Sequence, residues 1–302
     1  MRPALVGFPT RARGARATLG AFPLEAPTRG VRGGQGAPII VNGNKFFDPE
    51  ADMKSSLSLL ALLAALTLVP LGARAASTTV AVAANFTQPA KRLAAAFERK
   101  TGDNIVLSFG ASGQFATEVT QGAPYAILLS ADEERPKQLI ALGLADESSL
   151  FTYAVGKLVL FSAKPGYVDA AGKVLGSGSF AHIAIADPKA APYGAAGIET
   201  LKTLGVYATV APKIVTGKSI AQTYQFIATG NAALGFVALS QVIKIKTGSQ
   251  WLVPAKDYQP IIQDAVLLKA GEHDPVAKAF LAYLKTPRAV KLISSYGYAA
   301  AP

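Results

Sequence analysis

The sequence contains no cysteine, two histidines, one tryptophan and two methionines in 302 residues, and only 16% of its residues are charged. Without cysteine there are no disulfide frameworks, thiolate nucleophiles, thiolate zinc sites or lipid-modified N-terminal cysteine. Two histidines, His182 and His273, are too few for an imidazole-rich metal centre. Half of the residues are hydrophobic, which excludes extended disorder for most of the chain, and the length predicts two domains. The formal charge is +11, yet the basic residues are scattered instead of gathered into a dense face or interleaved with aromatics. A nucleic-acid partner is therefore not expected.

The first 75 residues differ from the rest. Residues 1–52 are rich in Arg, Gly, Pro and Ala, lack a sustained apolar period, and read as a disordered extension or a start-site artefact. Residues 53–75 read as a signal peptide. Met53 and Lys54 form a short basic start, Leu57 to Leu71 an uncharged run of fifteen residues, and Ala73, Arg74 and Ala75 a small-residue cleavage pattern. The run is shorter than the roughly 20 apolar residues a spanning helix needs. A complete signal behind an internal Met implies that translation starts at Met53 and that the mature chain of 227 residues is exported.

From Thr78 onward, apolar strands alternate with helices that end at glycine, the pattern of an α/β fold with largely parallel sheets. Val80 to Ala83, Ile105 to Phe109, Ile127 to Ser130, Lys157 to Ser162, Ile183 to Ala186, Leu234 to Leu239 and Ile261 to Leu268 read as strands, with Ile214 and Val215 a shorter one. Pro275 to Leu284 and Pro287 to Tyr296 read as closing helices. Because no Gly- or Pro-rich linker divides the mature chain, two lobes must be joined by strands or short turns. Crossings near Gly156 and Asp264 give a first lobe of residues 76–156 plus 265–302 and a second of 157–264.

Four turns place a small polar group, or backbone alone, where a strand passes into a helix: Ala84 with Asn85, Ser112 with Gly113, Tyr193 with Gly194, and Ser219 with Ile220. The first N–H groups of a helix lack intrahelical partners, and its N-terminus carries about +0.5 of an elementary charge. Each turn alone reads as a helix cap; together, at the carboxyl ends of α/β strands, they read as an anion site. Gly110 to Gly113 partly resembles a nucleophile elbow, but Gln114 stands where Gly-x-Ser-x-Gly requires glycine, so a serine hydrolase using Ser112 is the alternative from another class. Asp132, Glu133 and Glu134 read as an acidic first helical turn, and Phe280, Tyr283, Tyr296 and Tyr298 as packing.

The motifs AVAANF (81–86), SFGASG (108–113), IAIADPKAAPYGAAG (183–197), GKSIAQTYQFIATGNAALGFVALSQV (217–242) and QDAVLLK (263–269) resemble the molybdate-binding proteins of bacterial ABC importers, the ModA family. The resemblance runs from about Thr78 to Tyr298. It implies a type II periplasmic binding protein fold, two α/β lobes with a ligand cleft between them. It further implies no enzymatic activity, no cofactor, a periplasmic monomer, and delivery to an ABC permease in the inner membrane. Carried over by position, molybdate or tungstate is held by Asn85, Ser112, Tyr193 and the backbone N–H of Ile220, with molybdenum present only as the oxyanion; sulfate or another small anion is the alternative ligand. Two departures stand out. Ala238 replaces a tyrosine common in relatives, with the Tyr193 phenol as its substitute, and Tyr125-Ala126 replaces an Asp, a change expected to touch the hinge or the cleft wall. N-terminal sequencing of the exported protein is expected to find Ala76 or Ser77; Met1 or Arg2 would overturn both the start site and the cleavage site.

Overall fold

The computed structural model describes residues 75–300, so the extension and all of the expected signal peptide but Ala75 lie outside the described residues. Strand β1 (Ser77–Ala83) opens the first sheet, with β2 (Asn104–Gly110) and β3 (Ile127–Leu129) pairing to it in parallel on either side. Helix α1 (Thr87–Thr101) joins β1 to β2, and α2 (Ser112–Thr120) joins β2 to β3. The apolar stripe Ala90, Leu93, Ala94 and Phe97 buries one face of α1. Gly102 ends it at φ 84°, a left-handed turn that leaves its N–H to close on the carbonyl of Glu98. After α3 (Glu134–Ala141), β4 (Ala145–Gly156) forms the far edge of this sheet and leads directly into β5 (Leu158–Ser162) of the second.

The second sheet has the order β7-β6-β8-β5-β9, built with β6 (Ile183–Ala186), β7 (Ile214–Gly217), β8 (Leu234–Ala238) and β9 (Ser249–Leu252). Helix α4 (Pro192–Thr203) follows β6, α5 (Ile220–Ala228) follows β7, and the short α6 (Leu239–Val242) follows β8. Strand β10 (Ile261–Leu268) then returns to the first sheet, whose order is β2-β1-β3-β10-β4, and α7 (Pro275–Leu284) and α8 (Pro287–Ser294) pack on that same lobe. Phe280 of α7, fully buried, meets Phe97 of α1 edge-on at 5.3 Å, a geometry aromatic rings favour.

The structure differs from two of the sequence expectations and adds two strands. The sheets are mixed: β10 runs antiparallel to β3 and β4, and β5 antiparallel to β8 and β9. A chain that leaves one lobe and returns enters from the opposite end, so its return strand must run against its neighbour. The second crossing lies between Leu252 and Ile261, because β10 pairs with β4 from Ile261 onward; Asp264 sits inside that strand. Strands β4 and β9 were not evident in the sequence since both are sheet edges and β4 carries the exposed residues Asp146, Glu147 and Ser148 near its start.

Candidate functional site

Asn85, Ser112, Tyr193 and Ile220 line one small cavity, walled otherwise by Ala83, Ala84, Gly110, Ala111, Ala131, Ala191 and Pro192. The small residues matter because they let main chain approach a ligand closely. Asn85 follows the carboxyl end of β1 and Ser112 that of β2; Tyr193 follows β6 and Ile220 follows β7. The cavity therefore sits at the strand ends where α/β folds place ligands, with each lobe contributing two of the four residues.

Ser112, Tyr193 and Ile220 lie in the first turns of α2, α4 and α5, where N–H groups have no intrahelical partner, and no carbonyl among the described residues accepts from them. The ordinary capping role falls to Ser219, whose side chain accepts from the N–H of Gln222. Ser112 is no cap: Ala111 occupies that position, and the Ser112 hydroxyl accepts from the N–H of Ala131 at 2.8 Å. Because its oxygen is oriented by that bond, the hydroxyl proton remains available as a donor.

Two side chains depart from their expected roles. Both N–H bonds of the Asn85 amide are committed, to Gln263 Oε1 at 2.8 Å and to the Tyr298 hydroxyl at 2.9 Å. The Tyr193 hydroxyl accepts from Gln263 Nε2 at 3.1 Å and lies over Gly156, and neither Gln263 nor Gly156 lines the cavity. The phenol is thus engaged by Gln263 instead of standing free in place of a tyrosine at 238. Burial holds the Tyr193 and Tyr298 phenols above their usual range, so both are neutral hydrogen-bonding groups. Tyr298, expected only to pack, also binds the carbonyl of Asn85 and contacts Ser240 Oγ. The polar Gln263 inside the apolar run Ile-Ile-Gln-Asp-Ala-Val-Leu-Leu was the signal by which this network could have been found.

Tyr125 lies elsewhere. It precedes β3, at the strand end opposite the cavity, where its ring meets Phe115 edge-on and its hydroxyl donates to Glu118. It touches neither hinge nor cleft wall. Ala238 is buried at the start of α6 and does not line the cavity.

No Lys, Arg, His, Asp or Glu lines the cavity, so Ser112 has no base to activate it, and both histidines are exposed. Asp132 instead accepts from the Arg135 backbone N–H and guanidinium, each at 3.0 Å; burial raises its pKa while Arg135 opposes the shift. Among the described residues no acidic or histidine cluster is arranged to hold a metal. Arg135 also reaches across the cleft to the carbonyl of Lys189 at 2.7 Å, and Gly113 N–H donates to Ala190 at 2.9 Å. The two lobes are thus tied at the rim of the cavity.

Residues 78–299 match the family model for bacterial extracellular solute-binding proteins. The chain is 55% identical over 246 residues to the molybdate-binding protein ModA of Rhodobacter capsulatus, covering 82% of this chain and 96% of that protein. It is 50% identical to ModA of Azotobacter vinelandii over 249 residues, 82% of this chain and 99% of that one. The chain belongs to the ModA family. The solved Azotobacter vinelandii periplasmic molybdate-binding protein superposes with a TM-score of 0.72 at 43% identity, covering 74% of this chain and all of that one. In this ModA-family chain the cavity offers one hydroxyl and several free amides, so Ser112→Ala removes a donor that nothing nearby replaces. The expected cost is about 1 to 3 kcal/mol of affinity for a bound anion, read by titration calorimetry. Unchanged affinity would remove Ser112 from the site.

Proposed function

We propose that this protein is the periplasmic binding component of a molybdate ABC importer, that it is a binder and not an enzyme, and that neutral hydrogen-bond donors hold the oxyanion between its lobes. The reading is supported by the meeting of Ser112, Tyr193 and Ile220, whose N–H groups no backbone carbonyl among the described residues accepts, on one cavity without charged side chains. The names of its close relatives support the choice of ligand.

A buried dianion loses hydration worth tens of kcal/mol, so its oxygens must be met by donors. Helix starts supply N–H groups already pointing outward, each with a fractional positive charge, and demand no counter-charge. Molybdate and tungstate are fully deprotonated at neutral pH and only accept hydrogen bonds. Hydrogen phosphate carries a proton and wants an acceptor such as a carboxylate, which the cavity walls lack. Tungstate, nearly isosteric with molybdate, should bind alongside it, whereas smaller sulfate would leave donors out of reach. Contacts from both lobes make the bound anion the bridge that closes them, and the closed form is the shape a permease in the inner membrane would receive. Export by the segment that begins near Met53 would deliver the protein to that compartment as a monomer.

Calorimetric titration of the mature chain is expected to give one site for molybdate and tungstate, with sulfate at least a hundredfold weaker, roughly 3 kcal/mol, and phosphate weaker still. Equal affinity for sulfate would overturn the assignment of ligand, and no heat with any of the four anions would overturn the reading as an oxyanion binder.

A further inference from the structure

Directly behind the cavity lies a polar group that no anion would reach. Gln263 is fully buried on β10, the strand by which the chain returns from the second lobe. Its Oε1 accepts from Asn85 Nδ2 at 2.8 Å and from the Tyr153 hydroxyl at 3.0 Å, while its Nε2 donates to the Tyr193 hydroxyl at 3.1 Å. Asn85 belongs to the first lobe and Tyr193 to the second. A single amide thus holds one cavity residue from each side.

Gly156, the last residue of β4 before the chain crosses between lobes, completes the arrangement. A Cβ at 156 would overlap the Tyr193 hydroxyl and come within 2.6 Å of Gln263 Nε2, far inside contact distance. The glycine at the crossing is the clearance that lets the phenol reach the amide. A glutamine suits this position because one planar group presents an acceptor edge to Asn85 and Tyr153 and a donor edge to Tyr193. Burying it unpaired would be costly, so the arrangement is favoured only when the second lobe is in place to supply Tyr193.

We propose that Gln263 is a positioning residue for anion binding: without touching the ligand, it fixes Asn85 and Tyr193 relative to each other, and the Tyr193 hydroxyl serves as a strut between lobes instead of as a ligand donor. The proposal rests on the oxyanion reading above and deepens it. It makes the phenol's contribution to affinity depend on Gln263, which a direct phenol–ligand contact would not.

The test is a double-mutant cycle on molybdate affinity with Tyr193→Phe, Gln263→Leu and the pair, by calorimetry on the mature chain. Tyr193→Phe is expected to weaken binding about tenfold in the native background and less than about twofold once Gln263 is Leu, since the strut is already broken. Stoichiometry should stay at one site, whereas damage to folding would lower the active fraction and leave the affinity of the remainder unchanged. If Gln263→Leu does not fold, Gln263→Asn, which keeps an amide but is too short to span Asn85 and Tyr193, replaces it in the same cycle. An equal loss on Tyr193→Phe in both backgrounds, or no loss in either, would overturn the proposal while native molybdate binding persists. Failure of the native chain to bind any oxyanion would instead count against the function proposed above.

Discussion

The arrangement depends on a limit of helix geometry: the first amides of a helix cannot be satisfied from within it. In most helices a side-chain cap, a neighbouring carbonyl or water takes them. Here Ala111 and Ala191 occupy the cap positions of α2 and α4 and supply no side-chain acceptor. The N–H groups of Ser112 and Tyr193 find no backbone acceptor, and both residues line a pocket walled mostly by alanine and glycine. Small walls and unused donors belong together, because a larger side chain in either wall would fill the space or cap the helix. The positive end of a helix is a weak charge, but helix starts whose residues Ser112, Tyr193 and Ile220 are all buried act with less attenuation than they would at a surface.

The two-lobed fold is what allows those helix starts to converge. In each sheet the parallel strands end on the cavity side, and the antiparallel strands β5 and β10 carry the chain across and back. That routing places Gly156 and Gln263 on the strands nearest the crossings, directly behind the pocket. The rim is tied by Arg135 to Lys189 and Gly113 to Ala190, and the floor by Gln263 to Tyr193 and Ser240 to Asn85. The tie between the lobes is distributed over several modest bonds instead of one strong contact.

Much of this was legible in the sequence, for identifiable reasons. Strands such as Ile183–Ala186 are continuous apolar runs, because a strand buried on both faces has no polar side to show. Asn85, Ser112, Tyr193 and Ile220 were readable as a set since each follows a strand and opens a helix, a local pattern that needs no knowledge of distant contacts. The direction of β10, the edge strands β4 and β9, and the commitments of Asn85 and Tyr193 were not readable. Whether the Asn85 amide faces a ligand or Gln263, 178 positions away, is decided by tertiary packing alone. For the same reason Tyr298, near the end of the chain, read as packing although its hydroxyl completes the support behind Asn85.

The central claim is that main-chain donors, not charged side chains, hold the anion, and a crystal structure of the molybdate complex tests it most directly. The account places molybdate oxygens at hydrogen-bond distance, about 2.7 to 3.2 Å, from the backbone nitrogens of Ser112, Tyr193 and Ile220 and from the Ser112 hydroxyl. Molybdate held instead by lysine or arginine side chains, or bound away from these helix starts, would contradict it.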